Sequence, residues 1–321
     1  MSAEDRVYGY SAVLMGSPIL LKLFEHNEGR AARVFRLIKQ LETLLTVNRA
    51  HSGVMTINHA AGDHPVVVSQ PVFDLIARAK EVSMVPGSCF NLAIGPLVKR
   101  WRIGFNGDSV PPAEEIHALR ALTQPQQVIL DPQLRSVFLE KRGMEIDLGA
   151  IAKGYIADRV RDVLRQEGVE NALINLGGNV QTLGGTPDGS PGSWGIGLKK
   201  PFGAPDELIG VINVTGKSVV TSGVYERYFE IQGQRYHHIL DPHTGYPLDN
   251  ELLSVTVISD DSIDGDIFTT LLYGMGMEKS LAYLADIPGI EALFVTRDRR
   301  VVLSSRRQFS FTLLDDSYRL A

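Results

Sequence analysis

Cysteine is nearly absent. Cys89 is the single one in 321 residues, so no intrachain disulfide can form, and the chain suits a reducing compartment. Long apolar runs are missing too: the longest fall far short of the ~20 residues a membrane-spanning helix needs. There is no excess of basic charge. A net charge of −5 and a pI near 5.9 exclude a general nucleic-acid binder, which would carry a basic face, while leaving room for a local basic pocket. The opening residues, MSAEDRVYGY, lack the basic n-region and apolar h-region of a secretory signal. Tandem repeats and low-complexity tracts are also lacking. The expectation is a cytoplasmic protein with no membrane insertion and no nucleic-acid partner.

What is present is ordinary for a folded protein. Hydrophobic residues make up 44% and charged residues 21%, and a chain of this length buries a core without metal or disulfide staples. Residues 7–24 are β-rich and broken by Gly16 and Pro18, which predicts two strands or one bulged strand. Val34, Leu37, Ile38, Leu41 and Leu45 recur at helical spacing and predict an amphipathic helix over 29–46. Further helices are expected at 71–85, 112–123, 151–166 and 263–285. Strands are expected at 127–130, 134–139, 143–147, 171–176, 291–296 and 300–304, and strands dominate 194–259. Residues 184–193 read as a loop. Helices and strands mix without strict βαβ alternation, so the fold class is α+β. No linker marks a boundary: the chain reads as one domain over 1–321, with a core of about 8–305 and 306–321 as a tail.

Four segments carry candidate chemistry. In Asp147-Leu148-Gly149-Ala150-Ile151-Ala152-Lys153-Gly154, small residues open a helix, where backbone N–H groups and Lys153 can meet an anion; a tight turn with a solvated lysine explains the same pattern. Thr221-Ser222-Gly223-Val224-Tyr225-Glu226-Arg227 reads as a ligand-lining strand edge or a hairpin corner. Tyr236-His237-His238-Ile239-Leu240-Asp241-Pro242-His243-Thr244-Gly245 places three histidines and an aspartate within seven residues, which invites zinc. On a strand, however, His237 and His238 point to opposite faces, and Asp-Pro-x-Thr-Gly reads as a turn, so one catalytic histidine is the better reading. In Asp264-Gly265-Asp266-Ile267-Phe268-Thr269-Thr270, Asp266 and Thr270 share a helix face and offer the oxygen ligands Mg²⁺ prefers; an N-cap role for either aspartate is the plain alternative.

Taken in order, these segments resemble the ApbE family of FAD:protein FMN transferases over about residues 8 to 296. Met15-Gly16-Ser17-Pro18, Ser52 with Asn58, Phe90-Asn91-Leu92-Ala93-Ile94-Gly95-Pro96-Leu97-Val98, IDLGAIAKGYIAD, NLGGN, TSGVYERYF, HHILDPHTGYP and DIFTTLLYGMG carry the likeness. The resemblance implies an ApbE-like (T-fold-like) single catalytic unit and FAD as substrate. It implies one Mg²⁺ on the Ala150 carbonyl, Asp266 and Thr270. It places Met15, Cys89, Phe90, Asn91, Asp147, Lys153 and Leu240 at FAD, with Asn48 where an aromatic residue often covers the flavin. His238 is implied as the base. Asn91 and Ala93 depart from the family's Asp and Thr. The reaction so implied moves FMN from FAD onto a Thr or Ser hydroxyl of an acceptor flavoprotein, a reductase or redox-complex subunit, and releases AMP. The competing readings are an FAD pyrophosphatase and a non-catalytic flavin carrier.

Overall fold

The computed structural model describes residues 6–187 and 192–321. In chain order the elements are Tyr8–Leu14 (β1), Ser17–Leu23 (β2), Glu28–Leu45 (α1), Gly53–His59 (α2), Val66–Val67 (β3), Gln70–Ser83 (α3), Gly95–Trp101 (α4), Ala113–Arg120 (α5), Val128–Asp131 (β4), Ser136–Leu139 (β5), Gly149–Gln166 (α6), Ala172–Leu176 (β6), Asn179–Leu183 (β7), Trp194–Lys199 (β8), Leu208–Val214 (β9), Ser218–Gly223 (β10), Tyr228–Ile231 (β11), Gln234–His237 (β12), Leu252–Ser259 (β13), Ser262–Met275 (α7), Met277–Leu284 (α8), Glu291–Thr296 (β14), Arg300–Leu303 (β15), Ser310–Leu313 (β16) and Arg319–Leu320 (β17). The fold is α+β. The chain divides into two compact units, one of Met1–Glu42, Ala152–Gly223 and Glu251–Ala321, the other of Thr43–Ile151 and Val224–Asn250.

The first unit is built on a nine-stranded sheet ordered β1-β2-β6-β7-β10-β13-β14-β15-β17. Strand β6 shows how the sequence places it. Ala172, Ile174 and Leu176 join the cluster covered by α1 and α6, while Leu173 joins a second cluster with Val214, Ile258 and Phe309. Alternate residues thus face opposite layers, as a strand buried on both faces requires. The second layer includes the sheet β16-β9-β8. The β1–β2 hairpin turns on Met15 and Gly16, both with positive φ (54° and 67°), and Leu14 pairs with Ser17. This is the two-residue geometry whose twist matches its strands.

The second unit holds the sheet β3-β5-β4, the hairpin β11–β12 and helices α2 to α5. Its apolar cluster gathers Leu97, Trp101, Ile103, Ile116 and Leu240. The Trp101 ring lies 5.9–6.4 Å from the rings of Phe229, Tyr236 and Tyr246. Its indole N–H donates to the Gly245 carbonyl at 2.8 Å.

Several expectations change. Residues 143–147 form no strand, because a side chain takes the place of a partner strand: Ile146 N–H donates to Asn58 Oδ1 at 2.8 Å and the Ile146 carbonyl accepts from Asn58 Nδ2 at 3.0 Å. The helix expected over 263–285 is two helices, parted at Gly276 with φ +80°, where Glu251 Oε1 accepts the Met277 N–H at 2.8 Å. Residues 306–321, expected as a tail, supply β16 and β17, and Phe309 and Tyr318 are buried. Residues 188–191 of the expected loop lie outside the described residues. The short helices α2 and α4 were not expected.

Replacing Trp101 by alanine empties the centre of its cluster and removes the indole donor to Gly245. The expected cost is about 3–5 kcal/mol, read as a lower urea midpoint by far-ultraviolet circular dichroism. A loss below about 1 kcal/mol would show that the aromatic cluster does not depend on this ring.

Candidate active site

In the first unit, the candidate residues Asp266, Thr270 and Lys153 lie where α7 meets α6. Asp266 is buried on the first turns of α7. Its Oδ2 accepts the Gly154 N–H at 2.6 Å, and its Oδ1 accepts from Asn179 Nδ2 at 2.8 Å. Burial pushes this carboxyl up to about 7, against the opposing pull of Asn179, Gly154 and Lys153. In return, Asp158 on α6 accepts the Ser262 N–H at 2.6 Å on Oδ1 and the Ile263 N–H at 2.9 Å on Oδ2. It therefore satisfies two of the unpaired donors at the start of α7.

Gly154 is required by this contact. A Cβ there would stand 2.5 Å from the Ser262 carbonyl oxygen and 2.6 Å from Asp266 Oδ2. Thr270 stands one turn after Asp266, its Oγ1 3.4 Å from the Asp266 carbonyl. At Gly177, with φ +59°, an added Cβ would stand 2.9 Å from Ser17 and 3.1 Å from Lys153 Nζ; this glycine lets the lysine and the β2 edge approach. Met15 holds a left-handed conformation that methionine seldom adopts, half-buried against the α1/α6 cluster.

The second unit carries the histidine block. His237 is buried: its Nε2 lies 2.6 Å from the Leu248 carbonyl, and its Nδ1 accepts the Ile239 N–H at 3.2 Å. Both ring nitrogens are therefore engaged in structure. His238 differs. Its Nδ1 lies 3.2 Å from the Arg227 carbonyl, which also accepts the His238 N–H at 3.0 Å. A carbonyl can only accept, so Nδ1 carries the proton and the lone pair sits on Nε2. Glu226 Oε2 lies 3.8 Å from that Nε2, and Arg227 is itself held over the Phe105 ring at 5.2 Å.

The remaining expected residues are placed as follows. Asp147 accepts the Gly149 N–H at 2.7 Å on Oδ1, and burial raises its carboxyl pKa despite that bond and Arg227. Ala150 is exposed on the first turn of α6 and belongs to the second unit. Phe90 is buried. Asn91 donates Nδ2 to the Thr123 carbonyl at 2.8 Å and accepts the Ala93 N–H on Oδ1 at 2.8 Å; the first bond needs an amide, which an aspartate could not supply. Leu240 is buried among Leu97 and Trp101, and its backbone forms a bridge with Pro247. Asn48 is exposed. Cys89 is buried beside Asp241, and desolvation followed by that carboxylate pushes its thiol up to about 12. Such a thiol is not a nucleophile.

Asn179, Asp158 and the Arg227 carbonyl were not anticipated as positioning groups. Each lies in a quoted motif, but nothing in the motif shows the partner. The fold agrees with what known proteins show. Residues 15–294 match the model of the ApbE family. A protein of Klebsiella pneumoniae (strain 342) named FAD:protein FMN transferase is 64% identical over 318 residues, covering 99% of this chain and 98% of the relative. The crystal structure of the ApbE protein of Thermotoga maritima superposes with a TM-score of 0.81 at 31% identity, covering 92% of this chain and 96% of that one. The apo flavinyl transferase ApbE of Pseudomonas stutzeri gives 0.78 at 32% identity, covering 96% of this chain and 95% of that one.

Burial holds the Asp158 carboxyl up at about 6 from 3.8. The folded protein binds this proton more tightly than the unfolded chain does. The group thus favours folding fully below 3.8, and that contribution is lost as pH rises to about 6. Asp158→Asn cannot titrate and keeps one of two acceptors. It is expected to lose about 0.5–2 kcal/mol and to show a shallower fall of the urea midpoint across that window. An unchanged slope would remove Asp158 as its source.

Proposed function

This chain belongs to the ApbE family, and on that premise we propose that it transfers the FMN half of FAD to a hydroxyl of an acceptor protein. One observation carries the reading: a buried carboxylate, Asp266, aimed by the Gly154 N–H and the Asn179 amide with Lys153 beside it. An ionised carboxylate is costly to bury without a cation. This structural cost is what a metal ligand at a phosphoryl-transfer site incurs.

The donor set fits magnesium. A carboxylate, the Thr270 hydroxyl and a backbone carbonyl are hard oxygens. We assign Asp266 and Thr270 to it, with the carbonyl of Ala150, one turn before Gly154 on α6. When bound, the ion would neutralise charge on the diphosphate and its phosphorus. Lys153 adds a second positive charge for phosphate, and the Gly177 turn keeps its approach open. Met15, Cys89, Phe90, Asn91, Asp147 and the main chain at Leu240 are proposed to hold FAD, with Asn48 at the flavin's edge.

His238 acts as the general base. The Arg227 carbonyl fixes the tautomer, so Nε2 takes the proton of the acceptor's Thr or Ser hydroxyl. As that proton moves, the hydroxyl oxygen bonds to the FMN phosphorus, the bond from phosphorus to the bridging oxygen breaks, and AMP leaves. Glu226 stabilises the imidazolium so formed. His237 has no role in this step, since both its nitrogens serve the fold. The acceptor is proposed to be a flavoprotein, a reductase or redox-complex subunit, and the setting the cytoplasm, in keeping with a chain whose one cysteine forms no internal disulfide.

The test is incubation with FAD, Mg²⁺ and a candidate acceptor, following AMP release and the acceptor's mass. FMN should appear on a Thr or Ser, and chelation should stop the reaction until Mg²⁺ is restored. Asp266→Ala is expected to lower AMP release by about 10²–10³-fold. His238→Ala should slow transfer by about 10²–10⁴-fold with FAD affinity little changed. FMN released equally fast without acceptor would replace this reading with a pyrophosphatase. Tight FAD binding with no AMP would replace it with a carrier.

A further inference from the structure

Within the second unit, Cys89, Asp241 and His243 each offer one ligand atom, and these atoms all lie within 4.8 Å of one another. The proposed transfer makes no use of this cluster as a cluster. Hydrogen bonds to the main chain hold His243 and Asp241 in place. His243 Nε2 lies 3.1 Å from the Ser88 carbonyl. That carbonyl only accepts, so Nε2 carries the hydrogen and Nδ1 the lone pair. A backbone carbonyl on the far nitrogen is the arrangement that orients metal-bound imidazoles. Asp241 is held in its turn by three bonds: its Oδ1 accepts the His243 N–H at 2.8 Å, its N–H donates to the Tyr246 carbonyl at 2.8 Å, and its carbonyl accepts from Gly245 at 2.7 Å.

Spacing then names the ion. Cys89 Sγ stands 3.9 Å from Asp241 Oδ1. A tetrahedral zinc with bonds of about 2.3 Å to sulfur and about 2.1 Å to oxygen sets those atoms about 3.6 Å apart. The pair needs to close by only a few tenths of an ångström. Magnesium is a poor match, because it demands an octahedron of oxygens and dehydrates reluctantly. One thiolate, one imidazole and one carboxylate suit a borderline ion.

We propose that Cys89, Asp241 and His243 form a binding site for a divalent cation of the zinc class, with its fourth position left to water. The site shares no ligand with Asp266 and Thr270, and it stands whether or not the flavin reaction does. On binding, the Cys89 S–H bond breaks, its proton leaves to solvent, and the S–metal bond forms with no change of oxidation state. The ion ties the 241–243 turn to the 88–89 segment.

Cobalt(II) is the probe, titrated anaerobically into the full chain with Mg²⁺ in excess and no flavin present. The chain has one cysteine, so any thiolate-to-cobalt charge-transfer band reports Cys89 alone. The expected result is a band saturating at one cobalt per chain and removed stoichiometrically by zinc. It should be absent in Cys89→Ser, and cobalt affinity should fall about tenfold or more in Asp241→Asn and His243→Ala. Circular dichroism of each variant without metal checks its fold. The wild-type band needs no variant and stands as the primary result. No band in the wild type would overturn the proposal. So would a band of unchanged affinity in both Asp241→Asn and His243→Ala, since the thiol would then be acting without the other two.

Discussion

The interlock of two buried carboxylates, Asp158 on α6 and Asp266 on α7, is the constraint on which the candidate metal position in the first unit rests. Each helix presents a backbone N–H and, one turn later, a carboxylate: Gly154 then Asp158, Ser262 then Asp266. Each carboxylate closes on the other helix's N–H. The pattern works only if the backbones come very close. Gly154 has no room for a Cβ against Ser262, and Gly265 has none against Val220 on β10. The glycines of AKGYIAD and DGDIF are thus spatial requirements of two contacts, α6 on α7 and α7 on β10, and the i to i+4 spacings from Gly154 to Asp158 and from Ser262 to Asp266 are the helical turn that sets the first.

This arrangement is poor as a source of stability. Two carboxylates share a small buried region, both with pKa raised chiefly by desolvation, and the Asp158 charge raises Asp266 further. An apolar contact of similar volume would serve the fold at lower cost. What the carboxylates gain is direction. Asp266 has its oxygens oriented by Gly154 and Asn179, yet each oxygen retains acceptor capacity. A side chain that is rigid, oriented, incompletely neutralised and costly to bury has the profile of a functional group. The two adjacent histidines show the same division. His237 spends both nitrogens on the main chain, while the Arg227 carbonyl, accepting at His238 Nδ1, selects that ring's tautomer.

Elements whose pattern is local were legible in the sequence. The heptad-like run from Val34 to Leu45 is α1, the apolar run NALINL is β6, and the Gly-Ser-Pro break in 7–24 is a hairpin. What was illegible depends on partners far along the chain. Ile146 reads as part of a strand until Asn58, 88 residues away, takes both its backbone groups. The helix through 263–285 reads as continuous until Glu251 caps a new start after Gly276. At the candidate site, motifs named the side chains proposed to react, but Asn179 lies 87 residues from Asp266 and Asp158 lies 104 from Ser262. No periodicity carries information across such separations, so the orienting groups emerged only from the fold.

Donor chemistry also separates the two candidate metal positions more firmly than affinity could. Divalent ions compete for any site in an order that favours zinc over magnesium, so selection must come from ligand type and geometry. Asp266 and Thr270 offer only oxygens, and the nearby Lys153 disfavours an ion that does not bring phosphate oxygens with it. Cys89, Asp241 and His243 offer sulfur, nitrogen and oxygen at spacings near a small tetrahedron, which magnesium does not accept. The thiol that desolvation and Asp241 push up to about 12 is inert toward electrophiles. In the proposed site a cation would replace its proton and turn the adjacent carboxylate from a repulsive neighbour into a fellow ligand.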